Sequence, residues 1–202
     1  MPEVDQNIYY VLGLFDEQTN QVFKQLNQTL SAAGIKPDDS VPHLTFGGYK
    51  DVSGEDLLEW VRTFCEEQTE IELNFNHIGL FPGGFCFIAP RVDKKLLKFH
   101  FDFHQNYDTC LTDIGYNFTL CSDNWVPHVT LVSGDRKAIE KTVGVLMDKP
   151  FKPFVGRLTE MAVFAYSPLR EIGRAALPAD RRNSSLTDIR IWRSNRLQKS
   201  AI

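Results

Sequence analysis

The pattern Val-Pro-His-x-Thr occurs twice in this chain, as Val41-Pro42-His43-Leu44-Thr45-Phe46 and as Val126-Pro127-His128-Val129-Thr130-Leu131. Each copy is apolar and β-prone, and in a strand successive side chains point to opposite faces. The His and the Thr two places later therefore share one face. Leu44 and Phe46, like Val129 and Leu131, take the other face and belong in a core. Set side by side, two such strands bring two imidazoles and two hydroxyls into one groove. That set suits a phosphate: a neutral imidazole takes a proton, a charged one gives a proton, and hydroxyls hold the non-bridging oxygens. Two lone His-x-Thr matches can arise by chance, but the shared Val-Pro before them and apolar residue after them argue for a common design. Pro42 and Pro127 mark strand starts, because the residue before a proline is held extended.

The elements around the motifs repeat in the same order. The first unit opens with an apolar run from Ile8 to Phe15, ending at Asp16. Val22, Phe23, Leu26, Leu30 and Ala33 then recur at helical spacing up to Gly34. The first motif strand follows, then a helix from Ser53 to about Glu66, where Ser53 and Asp56 form part of a capping box. A strand from Ile71 to Ile78 closes the unit. The second unit has a strand from Phe85 to Val92, a helix from Lys94 to about Leu111, the second motif strand, a helix from Arg136 to about Met147, and a strand from about Val155 to Phe164. Phe99, Phe101 and Phe103 also alternate as a strand would, but the repeat puts a helix at that place. Phe81-Pro82-Gly83-Gly84 reads as the tight connection between the units. The expected fold is α+β, duplicated about a pseudo-twofold axis, with two lobes of antiparallel sheet flanking a central cleft and helices outside.

Composition narrows the function. At 202 residues, 43% hydrophobic, the chain suits one domain with a packed core. We expect that domain over 1–177, its lobes interleaved around the two motifs, followed by a flexible basic tail over 178–202. A net charge of −4 argues against bulk double-stranded nucleic acid but allows a small nucleotide or an RNA terminus. No run reaches membrane-span length, and the acidic opening is unlike a targeting peptide, so a cytoplasmic monomer is expected. Cys65, Cys86, Cys110 and Cys121 are widely spaced and read as core residues of a reducing compartment.

With its two motifs in matched repeats, the chain resembles the two-histidine (2H) phosphoesterase superfamily, in its 2′-5′ RNA ligase-like branch, over roughly residues 6 to 177. The resemblance implies metal-independent chemistry on 2′,3′-cyclic phosphates or 2′-5′ linkages of nucleotides or RNA ends. His43 and His128 would be the catalytic acid/base pair, with family precedent for His128 as base and His43 as acid. Thr45 and Thr130 would bind phosphate. Many RNA-directed members carry an Arg shortly after the second motif, where this chain has Val132-Ser133-Gly134 before Arg136. Arg91 is the other basic candidate. RNA 2′-5′ ligation, the reverse reaction, and a non-catalytic nucleotide-binding module are the alternatives, and retention of both His ranks the module last.

Other residues are secondary. Tyr49, Trp125 and Tyr166 sit at ends of motif or closing strands, as does Phe81, and are the candidates for base stacking or groove lining. His100 and His104 have the i,i+4 spacing of metal ligands, but nothing nearby completes a zinc pattern, and an exposed or half-buried pair is expected. His77 is expected to end its strand. No metal and no cofactor is called for.

Overall fold

β1 (Ile8–Phe15) shows why strands form here. Its side chains divide by parity, with Tyr9, Val11 and Phe15 in the main core and Tyr10, Leu12 and Leu14 on the opposite face. In this computed structural model, which describes residues 8–105, 125–149, 151–166 and 169–180, β1 is followed by α1 (Glu17–Ala32). Asp16 caps α1 by accepting from the Thr19 N–H at 2.8 Å, and Gly34 follows its end at φ +69. β2 (His43–Tyr49) carries the first motif, and α2 (Gly54–Glu67) begins at its Ser53 cap. β3 (Ile71–Phe81) and β4 (Phe85–Pro90) form a hairpin. Gly84 closes it at φ +91, where an added Cβ would meet the Gly134 carbonyl oxygen.

The described part of α3 runs Lys94–Gln105, with Leu96, Phe99 and Phe103 buried, so the helical reading of the alternating phenylalanines holds. The expected extension to Leu111 lies outside the described residues, as do Cys110 and Cys121. β5 (Val129–Ser133), α4 (Arg136–Asp148) and β6 (Phe154–Tyr166) complete the second unit. β7 (Arg170–Ala176), which the sequence reading lacked, pairs with β6. Residues 178–180 stay on the body, through Glu70 N–H to the Pro178 carbonyl and Lys95 to Asp180 at 3.2 Å. The remaining tail lies outside the described residues.

All pairings are antiparallel, and the strand order is β2-β1-β6-β3-β4-β5. Exchanging the first unit's strands for the second's reads this order backwards. The closing strand of each unit pairs with the opening strand of the other, and β3 meets β6 between Ile71–Phe75 and Phe154–Leu158. Register shifts recur in the same places. Phe46 is the extra residue on β2, between Thr45 and Gly47, and Leu131 is the extra residue on β5, between Thr130 and Val132.

At the junction of the two closing strands, Phe75 is fully buried, with ring centroids of Phe15, Phe23 and Phe154 at 5.7, 5.4 and 5.0 Å. Phe75→Ala should cost about 3–5 kcal/mol of unfolding free energy in a denaturant titration, as buried Phe truncations do. A change below about 1 kcal/mol would show that this cluster does not join the halves.

Candidate active site: a paired-histidine groove

The two motifs make the same local bond. His43 Nδ1 lies 2.7 Å from the Val41 carbonyl oxygen, and His128 Nδ1 lies 2.7 Å from that of Val126. A carbonyl can only accept, so in each ring Nδ1 carries the hydrogen and Nε2 is left for other chemistry. A neutral ring then offers Nε2 as a base, and a charged ring offers Nε2–H as an acid. Leu44, Phe46, Val129 and Leu131 are all buried beneath the motifs, as the alternation requires.

β2 and β5 stand at opposite ends of the strand order, yet the ends meet. Asp38 N–H, just before β2, donates to the Leu131 carbonyl of β5 at 2.7 Å. Trp125 Nε1–H, just before β5, donates to the Thr45 carbonyl of β2 at 3.1 Å. The meeting is felt electrostatically. Burial pushes both imidazoles below the ordinary histidine range, opposed by the hydrogen bonds to Val41 and Val126. The Asp38 carboxylate also opposes the fall at His43, whereas the neighbouring His43 lowers His128 further.

The two halves differ beside the imidazoles. A cavity of about 410 Å³ opens next to His43 and Thr45, lined by Tyr10, Leu12, Phe164, Tyr166, Asp39 and Ser40 among others. Its volume suits a small-molecule site. At the matching place, Phe87 pairs with Thr130 as Leu12 pairs with Thr45, and Gly79 stands opposite Phe87 as Ala162 stands opposite Leu12. A Cβ at Gly79 would sit 2.2 Å from the Phe87 ring, so glycine lets that ring lie across β3. The Phe81 and Phe87 rings, 4.4 Å apart, wall His128 at centroid distances of 4.8 and 5.0 Å.

Of the aromatic candidates, Tyr166 is exposed at the cavity and meets Tyr10 edge-on at 5.7 Å. Tyr49 is a correction: it is 1% exposed and belongs to the main core, because the extra residue Phe46 shifts the alternation of β2 by one and turns the ring inward. Trp125 is another, since its ring stacks on His100 at 3.9 Å and its N–H is spent on Thr45. His100 and His104 are buried, where an exposed or half-buried pair was expected, and His104 Nε2–H donates to the Phe46 carbonyl at 2.7 Å. His77 lies within β3, exposed and bonded to Asn76. Arg136 pairs with Glu140 on the surface, and Arg91 is exposed just past β4. Asp39, Tyr10 and Phe87 escaped the sequence reading, because no local spacing ties them to the motifs.

A sequence model described as the 2′-5′ RNA ligase superfamily matches residues 38–168, a span that includes both motifs. The chain belongs to this superfamily, the 2H phosphoesterases. No curated protein sequence matches it. Solved structures in the superfamily share the fold. Escherichia coli LigT complexed with 3′-AMP aligns at a TM-score of 0.57 and 13% identity, covering 86% of this chain and 99% of LigT. TT0787 of Thermus thermophilus aligns at 0.57 and 12%, covering 86% and 99%. Usb1 of Kluyveromyces marxianus aligns at 0.53 and 10%, covering 87% and 99%.

In this 2H phosphoesterase, burial pushes the Cys65 and Cys86 thiols up to about 12 and about 11, which keeps them protonated core groups. Among the described residues, no three His, Cys, Asp or Glu side chains gather as a metal site, and no helix is long and apolar enough to cross a membrane.

The depressed imidazoles carry a stability signature. As pH falls below about 6.5, the unfolded chain takes up these protons before the folded one, so the stability they confer is full above that value and lost as pH falls through the folded values. Denaturant titrations should show a decline between about pH 7 and pH 5 that is smaller in the His43→Asn/His128→Asn double variant. An undiminished decline in the variant would place both imidazoles in ordinary solvent.

Proposed function

We propose that this 2H phosphoesterase is a metal-independent phosphodiesterase that opens 2′,3′-cyclic phosphates of nucleotides or RNA ends, or cleaves 2′-5′ linkages, by paired-histidine acid/base catalysis. The observation that carries the reading is the matched fixing of both Nδ1 atoms, which leaves two Nε2 atoms for one phosphate between strands that touch. Thr45 and Thr130 share the motif face and hold the non-bridging oxygens. The complex of LigT with 3′-AMP, a nucleoside carrying one phosphate on its ribose, supports a substrate of that size.

The asymmetry beside the imidazoles suggests the direction of attack. The cavity beside His43 has room for a nucleoside, with Tyr166 as its exposed aromatic wall, whereas the Phe81 and Phe87 rings lie against His128. His128 Nε2 takes a proton from water as its oxygen attacks phosphorus. The bond from phosphorus to one ribose oxygen breaks, and His43 Nε2–H protonates that oxygen as it departs; in a cyclic phosphate the nucleoside stays joined to phosphorus through its other ribose oxygen. The product is a phosphomonoester with a free ribose hydroxyl, and the pair is reset by exchanging a proton with solvent. Both transfers run through imidazole, so no step needs a metal-bound water. Residues 1–177 are proposed as a single bilobal domain, monomeric and cytoplasmic, with 178–202 as its basic tail.

Purified protein in EDTA should hydrolyse at least one member of a panel of 2′,3′-cyclic mononucleotides, cyclic-phosphate-ended RNA and 2′-5′ oligoadenylate. His43→Ala and His128→Ala should each lower kcat at least about a hundredfold with the fold intact. The double variant should be little worse than either single one, because the pair acts as a unit. Near-normal turnover by either single variant would overturn the mechanism, and ligand binding without turnover in the wild type would favour the binding-module alternative.

The kcat/KM profile against pH should be bell-shaped. Both imidazoles are depressed and His43 lowers His128, so the singly protonated pair is most populated below the ordinary histidine value, and the optimum should fall under about pH 6.5. A bound phosphate's negative charge raises the acid's value, so kcat should extend further to the alkaline side where chemistry limits the rate. A monotonic profile would remove one imidazole from the reaction.

A further inference from the structure

Each motif threonine is followed by the extra residue of a bulge, and a bulge turns a carbonyl out of the sheet ladder. The carbonyls at these places need partners if they are not to be left unpaired. In the second half, the carbonyl of bulged Leu131 accepts from the Asp38 N–H of the first half at 2.7 Å. In the first half, the carbonyl of bulged Phe46 accepts from His104 of α3 at 2.7 Å, and the Thr45 carbonyl accepts from Trp125 at 3.1 Å. Both donors belong to the second half. They are held as one unit, with His100 between them, its ring 3.9 Å from Trp125 at 12° and 4.4 Å from His104. The Trp125 ring also lies 5.5 Å from that of Phe46. His104 is 1% exposed and His100 5%. The two motif strands do not pair with each other, so these cross-links fix their separation.

We propose that His104 is a positioning residue that acts through Thr45. Its Nε2–H holds the Phe46 carbonyl, sets the bulge, and aims the Thr45 hydroxyl at the phosphate bound between His43 and His128. Trp125 shares the task from the neighbouring carbonyl. The brace couples the halves: a buried imidazole on one unit's helix sets the phosphate-binding hydroxyl of the other unit's motif strand. This rests on the proposed function and asks more of it.

The test is a double-mutant cycle on a cyclic nucleotide that the wild type hydrolyses. His104→Leu should lower kcat/KM at least about tenfold, with a rise in KM, because misplacing a substrate-holding group by about an ångström is costly. His104→Gln, whose amide can donate from nearly the same place, should recover most of the loss. In a Thr45→Ala background, His104→Leu should change kcat/KM less than about twofold further, because the hydroxyl it positions is already gone. Where His104→Leu fails to fold, Trp125→Phe keeps a ring on His100, removes the donor to Thr45 and should show the same non-additivity. Full activity of the folded variants, or losses that add to that of Thr45→Ala, would overturn the positioning role. His43→Ala serves as the control. Its inactivity beside a fully active His104→Leu would reject this inference alone, whereas its activity would reject the proposed function.

Discussion

The bond from each histidine ring to the carbonyl two residues earlier is the constraint on which the site depends. An imidazole has two nitrogens and can present either, and a free ring would exchange tautomers and turn about its bonds. An acceptor 2.7 Å from Nδ1 fixes the hydrogen there and the orientation of the ring at once. The backbone supplies that acceptor because Pro42 and Pro127 hold Val41 and Val126 extended, so their carbonyls can turn back toward the ring. The repeated Val-Pro frame of the motif thus has a physical purpose: it places a hydrogen on one chosen nitrogen in each half of the molecule.

The palindromic strand order supplies the second requirement, that the two motifs meet, with Trp125 bonding Thr45 and Asp38 bonding Leu131 across them. The same local solution, a ring nitrogen bonded to the carbonyl two residues earlier, serves in both motifs. A symmetric pair of groups, however, has no preferred direction for a reaction that needs a base at one end and an acid at the other. In the proposed reaction, direction would come from unmatched residues at matched positions: Leu12 against Phe87 and Ala162 against Gly79. A cavity opens beside His43, whereas the Phe81 and Phe87 rings lie against His128.

Much of this was legible in the sequence where the signal was local. Alternation in Ile8–Phe15 and in both motifs reported which side chains face the core, and Leu44, Phe46, Val129 and Leu131 are buried as it demands. The repeat resolved Phe99, Phe101 and Phe103 as helix, since only Phe101 of the three is exposed on α3. β7 was missed because Arg-Glu-Ile-Gly-Arg-Ala-Ala has no apolar alternation. Its fit depends on β6 as partner and on Arg174 bonding Glu160 and Glu171. Tyr49 and Trp125 were misread for a related reason. Their position near strand ends was visible, but the bulge at Phe46 that turns Tyr49 inward and the stacking of Trp125 on His100 of α3 have no local sequence signal. The same distance hid His104 behind a metal-like spacing.

Carrying the motifs on β2 and β5 has another effect. These are the two ends of the order of the described strands, and such an end offers N–H and C=O groups to an extended peptide, including a second copy of itself. Proline just before each motif histidine lacks the N–H that an added strand would need. The bulges at Phe46 and Leu131 break the straight register such a strand would follow. Carbonyls at both bulges are already taken, by His104 and by Asp38. The features that hold the imidazoles therefore also oppose added pairing at these margins of the sheet. Changes to Pro42 or Pro127 would open these margins to aggregation even where the histidines remain in place.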